Sequence, residues 1–342
     1  MMKLKTLVLA TGFAVSAMAV TGSAQAEALA TSVLNITGFQ ITYAGGGEVT
    51  NGANNLVVGT TTDSASVSAQ LGAGPASQQA VPAQSISSTA LDLSPVSQGT
   101  VTPAYANNAF YILSTVTPAP QSNFALADSY LNGAPINGTP ACAGPGCTNT
   151  AQQASYVSLA GLNLGGVASS GNGLNSSFVF TAGTPGAFKL SFNALAYLEA
   201  YTSADSKTGS AAFASYSLSF KVVDSSANNA TIFSWAPDGT GTGGVGVSSA
   251  VDPFNLNTSV SASSPSFFTA DNFYGTCAAQ ALGCAANAAF SATTPNLIAG
   301  HIYQLSIGSS TYTTAVTVPE PATLALLGLG LVGLALSRRR RA

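Results

Sequence analysis

The sequence predicts an all-β protein, an antiparallel β-sandwich of the jelly-roll or immunoglobulin-like kind, and three observations support this fold class. Apolar and polar residues alternate with a period of two over Phe188–Tyr201 and again over Ala212–Val222. Polar turn residues follow both segments, at Asp205-Ser206-Lys207 and at Asn228-Asn229. Helical periodicity is almost absent from residues 27–317. Such strands place one face on a core, which favours packed antiparallel sheets.

The first half of the chain gives weaker patterns. Its first predicted strand is Thr31–Tyr43, which Gly45-Gly46-Gly47 ends. Residues 51–99 hold few large apolar side chains, so we predict loops there, with one short helix over Ala65–Leu71. A further strand is predicted over Ala104–Val116, where aromatic and β-branched residues return.

The second half predicts its strands more sharply. We expect Phe188–Tyr201 and Ala212–Val222 to pair as an antiparallel hairpin. Ala230–Trp235 forms the next strand, and Pro237-Asp238-Gly239 supplies the turn that ends it. Alternating apolar residues over Tyr303–Ile307 predict a final strand, with a short additional strand after it.

The N-terminus is typical of a secretory signal peptide over residues 1–26. Lys3 and Lys5 give a basic start, and Leu7–Val20 is an apolar run. Ala24 and Ala26 then form the small-x-small pattern that signal peptidase recognises. Cleavage after Ala26 is expected, which makes signal peptidase a predicted partner. Residues 27–317 are called the passenger below.

The C-terminus has three parts with different physical properties. Two prolines keep the first part extended, so its backbone is open to a peptidase. The second part, Ala322–Leu336, is apolar throughout; as a helix it would rise about 22 Å, short of a hydrocarbon core of about 30 Å, which predicts a transient anchor. The third part is basic and is expected to stay in the cytoplasm as a retention charge. The extended motif is Val318, Pro319, Glu320 and Pro321, and the basic cluster is Arg338, Arg339, Arg340 and Arg341.

This tail, residues 318–342, resembles the PEP-CTERM sorting signal of Gram-negative bacteria. The resemblance implies processing near Pro-Glu-Pro by exosortase, an integral membrane enzyme, and association with extracellular polysaccharide. It therefore predicts export, a transient inner-membrane anchor, and then a place on the cell surface or in an exopolysaccharide or biofilm matrix. A plain C-terminal tail anchor is the alternative, but such an anchor does not require Pro-Glu-Pro.

The charge of the passenger excludes one class of partner. It carries three lysines, no arginine and eleven acidic residues, a net charge of −8. Nucleic-acid binding needs Lys or Arg to neutralise phosphates, so we expect none. The passenger is nevertheless rich enough in aromatic and β-branched residues to form a core.

The chain contains four cysteines, which suit an oxidising compartment. Three pairings are possible, and the sequence does not choose among them. We favour two bridges that each close a short loop, Cys142–Cys147 and Cys277–Cys284. A four-thiolate metal site is the alternative, but neither pair has the two-residue spacing usual for zinc.

Catalytic candidates are few. His301 is the one histidine, and no Gly-x-Ser-x-Gly elbow accompanies it, so we interpret it as a half-exposed residue at a strand end. Asp205, Asp224 and Asp238 lie near strand ends, where capping of turns is favoured over calcium binding. We expect no enzyme activity, no cofactor and no metal.

Exposed aromatic residues give the remaining functional hint. Tyr197 and Tyr201 are predicted to lie on the outward face of one strand, where they would form a candidate platform for sugar rings. The alternative is a second buried face, because a central strand can be covered on both sides. The expected function is a structural matrix protein, and the alternative is a secreted carbohydrate-binding module.

Overall fold

The computed structural model describes residues 27–45, 56–85, 91–100, 105–108, 110, 122–132, 150–160, 166–203, 209–241, 243–264, 268–271 and 286–318. Over these residues the chain forms sixteen strands and one short 3-10 helix. The all-β prediction is confirmed. The described part of the chain contains no helix with the length and apolar character needed to cross a bilayer.

The strands follow one another along the chain with these bounds: β1 Ala28–Tyr43, β2 Leu56–Leu71, β3 Ser77–Ser85, β4 Leu91–Gly99, β5 Phe124–Asn132, β6 Thr150–Leu159, β7 Gly166–Ala182, β8 Phe188–Thr202, β9 Ala211–Asp224, β10 Ala230–Trp235, β11 Gly244–Val245, β12 Ser249–Val251, β13 Thr258–Ser263, β14 Phe268–Asp271, β15 Ala286–Thr293 and β16 Ile302–Thr317. The 3-10 helix is Ser225–Ala227.

Two antiparallel sheets of eight strands each make up the body of the protein. Sheet 1 has the order β12-β15-β8-β1-β6-β5-β4, and β14 also pairs with β8. Sheet 2 has the order β11-β10-β9-β16-β7-β2-β3, and β13 also pairs with β9. Prolines lie in two edge strands, Pro82 in β3 and Pro95 in β4, where a missing N–H costs no ladder hydrogen bond.

The two sheets pack face to face because alternate residues of their long strands point toward one another. One part of the shared core is aromatic. The Phe192 ring lies 5.4 Å from Phe220 and 5.2 Å from Phe290. Trp235 stacks on Phe220 at 5.3 Å, and Phe39 lies 6.0 Å from the same ring. All five side chains are buried, and aromatic packing of this density dominates the energy of a core.

Another part of the shared core is polar, and we call it the polar seam. Short side chains let the sheets approach so closely that side chains of one sheet bond to the other. The Ser32 hydroxyl donates to the Ser215 carbonyl at 2.8 Å, and the Ser155 and Thr311 hydroxyls lie 2.8 Å apart. The Asn172 amide donates to two carbonyls of sheet 1 at 2.8 Å each, and Asn172 accepts from Thr311. The seam therefore gives buried polar side chains hydrogen-bonding partners on the opposite sheet.

The prediction of loops over residues 51–99 is wrong. Strands β2, β3 and β4 occupy most of that segment, and Ala65–Leu71 is part of β2 rather than a helix. The alternation of β2 is hard to detect because its inward and outward residues differ little in hydrophobicity. The inward residues Ala65, Val67 and Ala69 alternate with serines and a glutamine, so they lack the large apolar side chains that usually mark a strand.

The predicted strands Phe188–Tyr201 and Ala212–Val222 are confirmed as β8 and β9, but their pairing as a hairpin is wrong. β8 lies in sheet 1 between β1 and β15, whereas β9 lies in sheet 2 between β16 and β10. Period-two alternation fixes which side chains face the core, but it does not identify the neighbouring strand. The chain crosses from one sheet to the other between Thr202 and Ala211.

Other predictions divide into three groups. Thr31–Tyr43 and Ala230–Trp235 are confirmed as β1 and β10, and the final strand extends unbroken through β16. The strand over Ala104–Val116 is not found in its described residues, since 105–108 and 110 form turn and irregular backbone. Lying outside the described residues are the signal peptide, the apolar helix 322–336, the arginine cluster and the four cysteines.

Candidate functional site

The predicted platform of Tyr197 and Tyr201 is not an exposed face in this structure. Tyr197 is only 3% exposed, and its hydroxyl donates to Glu199, which is fully buried. Tyr201 is half-buried. β8 is a central strand whose outer face is covered around Tyr197 and Glu199, so the alternative of a second buried face describes Tyr197 correctly.

A second hydrophobic cluster explains this burial. It lies on the outer face of sheet 1 and contains Val33, Leu126 and Tyr156 together with Tyr197. Phe110, which is 6% exposed, belongs to the same cluster. Tyr105 packs against it with its ring 5.7 Å from that of Tyr156. The sequence left the outer side of β8 open between solvent and a second buried face, because nothing in its pattern shows that residues near 105–110 return to it.

Asp128 is a buried carboxylate at the margin of this cluster. The Asn108 backbone N–H donates to Asp128 at 2.9 Å, and the Asn108 amide donates to Asp92 at 3.1 Å. Burial raises the pKa of Asp128 to about 6, and hydrogen bonds from Asn108 and Tyr105 oppose that rise. The arrangement holds the turn at residues 107–108 against sheet 1, which is a structural role.

Asp63 is a second buried carboxylate, and it lies between the sheets on β2. It is fully buried, and among the described residues no donor reaches either of its oxygens with hydrogen-bond geometry. Burial raises its pKa to about 6; the hydroxyl of Ser176, its register partner on β7, lowers the pKa to a smaller extent. Sequence reasoning did not single out Asp63, because its burial depends on β2 being a strand.

His301 lies at the start of β16 and is 31% exposed at its side chain. Its Nδ1 is 2.8 Å from Asp224 Oδ2, while Asp224 Oδ1 accepts from the N–H groups of Ser226 and Ala227 and so caps the 3-10 helix. Asp238 likewise accepts from the Thr240 N–H at 2.9 Å. The expected turn-capping role of Asp224 and Asp238 is confirmed, and Asp205 lies outside the described residues. The partnership of His301 with Asp224 was not predicted.

The outer face of sheet 2 differs from that of sheet 1, because its residues are exposed or half-buried. Four neighbouring strands, β9, β16, β7 and β2, present mostly short polar side chains and glycines over the central rows of this face, and we call this surface the hydroxyl face. Hydrogen-bonded register places residues of the four strands side by side in rows. Two such rows are Ser217-Ser310-Gly173-Ser66 and Ser219-Gly308-Asn175-Ser64.

Tyr312 is 44% exposed on this face. Among the described residues of the face, no other large aromatic side chain is more than 40% exposed. Its ring leans over β7, where a Cβ added to Gly171 would lie 3.1 Å from Tyr312 Cδ2. On the other side the Phe213 ring is 6.3 Å away. Gly171 therefore lets the Tyr312 ring lie low on the sheet, beside the serine rows.

Both ends of the described chain lie at one end of the two-sheet body. Glu27 exchanges hydrogen bonds with Ser203, from the Glu27 N–H to the hydroxyl at 3.0 Å and from the Ser203 N–H to the Glu27 carbonyl at 2.9 Å. The Val318 N–H donates to the Ser210 hydroxyl at 3.1 Å. Ser203 and Ser210 belong to the connection between β8 and β9, so one crossover holds both the first residue of the passenger and the residue that follows its last one.

Residues 317–341 match the PEP-CTERM protein-sorting motif. The C-terminal end of this chain is a PEP-CTERM sorting signal. The match begins at Thr317, the last residue of β16, so the PEP-CTERM signal follows the folded body without a spacer. Pro319, Glu320, Pro321 and the four arginines fall within it, as the sequence predicted, and exosortase is the processing partner that the signal implies. No curated protein and no solved structure matches the chain.

Proposed function

We propose that this protein is an exported, exosortase-processed structural component of the cell surface or extracellular matrix, with a non-enzymatic β-sandwich as its passenger. The observation that carries the proposal is the PEP-CTERM motif at residues 317–341. The motif implies a protein that is exported, held transiently in the membrane and cut by exosortase. Association with exopolysaccharide or biofilm matrix is the finer part of the proposal.

The geometry of the chain ends supports this route. Glu27 and Val318 emerge at the same end of the body, each bonded to the β8–β9 crossover. A chain with a signal peptide before Glu27 and an apolar tail after Val318 would have both hydrophobic segments in one membrane. Because the two exits are neighbours, the sheets can assemble while both ends remain there. The His301–Asp224 pair lies at the opposite end of β9 and β16, away from that membrane.

A structural role is also supported by what the polar side chains do. Asp224 and Asp238 cap turns, His301 joins two strand ends, and Glu199 accepts from a buried tyrosine. The seam of serine, threonine and asparagine bonds joins the two sheets. These interactions stabilise the fold. Hydrogen bonds between the two sheets would help a matrix protein to resist unfolding outside the cell.

A carbohydrate-binding module is the second candidate. The exposed Tyr312 ring favours it, since it lies on a hydroxyl-rich face whose described residues include a single charged side chain, Lys221, whereas the buried Tyr197 cannot contact a sugar.

Processing in a Gram-negative host that encodes exosortase tests the main proposal. The protein should pass through a membrane-bound form and then appear in the surface and extracellular fractions. Replacing Pro319, Glu320 and Pro321 by alanine should leave the chain in the inner-membrane fraction, because the extended cleavage region is lost while the anchor remains. Deletion of the exosortase gene should have the same effect. The proposal would be overturned if the alanine variant were released normally and if the wild type were also released normally from cells that lack exosortase.

A further inference from the structure

The hydroxyl face of sheet 2 has features that the proposed function does not explain. It spans four neighbouring strands, β9, β16, β7 and β2, whose register is continuous over its central rows. Adjacent strands lie about 4.8 Å apart, and outward residues repeat about every 6.8 Å along each strand. The result is a regular array of short polar groups rather than a pocket.

Local contacts keep this array level. The Ser217 and Ser310 hydroxyls lie 2.8 Å apart across β9 and β16, and the Gln304 amide donates to the Ser177 hydroxyl at 2.6 Å across β16 and β7. These bonds lie parallel to the sheet and hold the side chains low. Glycines at 171, 173 and 308 keep the surface low at three positions between the serines. A long, unbranched partner could therefore contact several strands at once.

Charge and polarity restrict the chemistry of that partner. Lys221 is the one charged side chain among the described outward residues of these four strands, and no carboxylate accompanies it. A polyanion would find too little positive charge, since its binding requires several Lys or Arg side chains. A protein interface is also disfavoured, because the centre of such an interface is usually apolar and aromatic, whereas serine and glycine dominate the central rows of this face and its valines lie toward the ends of the strands.

The position of Tyr312 points to a sugar. A tyrosine ring that is 44% exposed and level with the sheet offers an apolar surface with a polar hydroxyl at its edge. The apolar face of a pyranose ring can stack on it, while sugar hydroxyls reach the neighbouring serines, directly or through water. From these observations we infer that the hydroxyl face binds a neutral polysaccharide, with Tyr312 as the stacking residue and the Ser217–Ser310 rows as hydrogen-bonding partners.

This inference rests on the proposed function, because only an exported chain would meet extracellular polysaccharide. The two are tested separately. Tyr312 lies in β16, before the sorting motif, so replacing it should leave processing and release unchanged. Failure of binding would remove the polysaccharide site and leave the exosortase route intact.

Co-sedimentation of the full-length chain, purified in mild detergent, with insoluble cellulose, chitin and curdlan provides the test. Alginate beads serve as the anionic comparison. The wild type should bind at least one neutral polymer more tightly than alginate. Tyr312→Ala should weaken that binding roughly tenfold, whereas Tyr312→Phe should keep most of it because the ring remains.

Ile302→Ala is the matched control. Ile302 is also 44% exposed and lies on the same strand and face, ten residues away at roughly 33 Å, beyond the serine rows. It should bind like the wild type. Thermal unfolding followed by circular dichroism shows whether each variant is folded. Equal binding by folded Tyr312→Ala and wild type would overturn the inference, as would tighter binding to alginate or no binding to any neutral polymer. Dimerisation that Tyr312→Ala abolishes, without polysaccharide binding, would assign the face to a second copy instead.

Discussion

The Val318 N–H donates to the Ser210 hydroxyl at 3.1 Å, and this is the last hydrogen bond between the folded body and the sorting signal in the described structure. Ser210 is fully buried, and β16 is a central strand of sheet 2. We therefore expect a membrane peptidase to cut the chain after Val318 rather than within β16. During processing the body would stand directly against the membrane, with the β8–β9 crossover facing it.

The arginine cluster should act as a retention charge. Moving one arginine to the bilayer centre costs roughly 2.5–3.5 kcal/mol on insertion scales, so four together should fix the C-terminus in the cytoplasm. Replacing Arg338–Arg341 by serine should reduce processing, because the short apolar segment can slip through or orient poorly. Replacement by lysine keeps the charge and should leave processing near normal. Pulse-chase labelling with cell fractionation measures both. Normal retention and cleavage of the serine variant would show that charge does not stop the tail.

Asp63 should destabilise the fold at neutral pH. Burial raises its folded-state pKa to about 6 from an ordinary value of 3.8, so the folded state favours the protonated acid. Above pH 6 Asp63 is ionised in the folded state, and the full cost of burying its charge lowers the free energy of unfolding. As the pH falls from 6 toward 4, Asp63 becomes protonated in the folded state before it does so in the unfolded state, so the free energy of unfolding rises. Below about pH 4 the residue is protonated in both states, and its effect on stability no longer changes with pH.

Asp63→Asn should therefore raise the free energy of unfolding at pH 7.5 by about 2 kcal/mol and change it little at pH 3.5. Denaturant unfolding at the two pH values measures this. Asp238→Asn is the control, because hydrogen bonds from Thr240 lower the pKa of that exposed carboxyl, so its removal should not stabilise the protein. A stabilisation by Asp63→Asn that is the same at both pH values would contradict the role of ionisation.

Asn172 should be one of the most important residues of the polar seam. It donates to the Asp128 and Ala154 carbonyls and accepts from Thr311. Asn172→Ala leaves buried polar groups without partners and should lower the free energy of unfolding by about 2–4 kcal/mol. Asn175→Ala, an exposed position on the same strand, should change it by less than about 0.5 kcal/mol. Denaturant titration compares them, and equal effects would show that the seam contributes little.

Truncation of two tyrosines should lower the stability of the fold by very different amounts. Tyr197 is 3% exposed and Tyr312 is 44% exposed. Tyr197→Ala leaves a cavity in the second cluster and removes a donor from Glu199, so it should cost about 3–5 kcal/mol. Tyr312→Ala should cost less than about 1 kcal/mol. Differential scanning calorimetry of both variants checks the burial, and a stable Tyr197→Ala protein would argue for an exposed outer face on sheet 1.

The sequence predicts strands well where large apolar side chains alternate, as in β8 and β9. It fails for β2, whose inward residues Ala65, Val67 and Ala69 barely differ in hydrophobicity from the serines between them. It also fails to assign β8 and β9 to different sheets, because partner choice depends on packing between distant segments. The choice between an exposed and a buried Tyr197 stayed open for the same reason. The alternation of residues along a strand shows on which face a side chain lies. It does not show whether distant residues such as Phe110 cover that face.

The sorting signal could be predicted almost completely, since its three parts are contiguous and their order carries the information. The hydroxyl face could not. It joins β2, β7, β9 and β16, and its rows exist only once the register of all four strands is fixed. Serine at one position is uninformative, whereas Ser217 beside Ser310 beside Gly173 defines a surface.

The most direct test of the whole account is the intact mass of the mature protein recovered from the extracellular fraction. We expect an N-terminus at Glu27 and a C-terminus between Val318 and Pro321, because Val318, the first residue of the extended motif, is still bonded to Ser210. The mass should lack Arg338–Arg341. Recovery of a mature protein that retains the arginine cluster, or whose C-terminus falls inside β16, would contradict it.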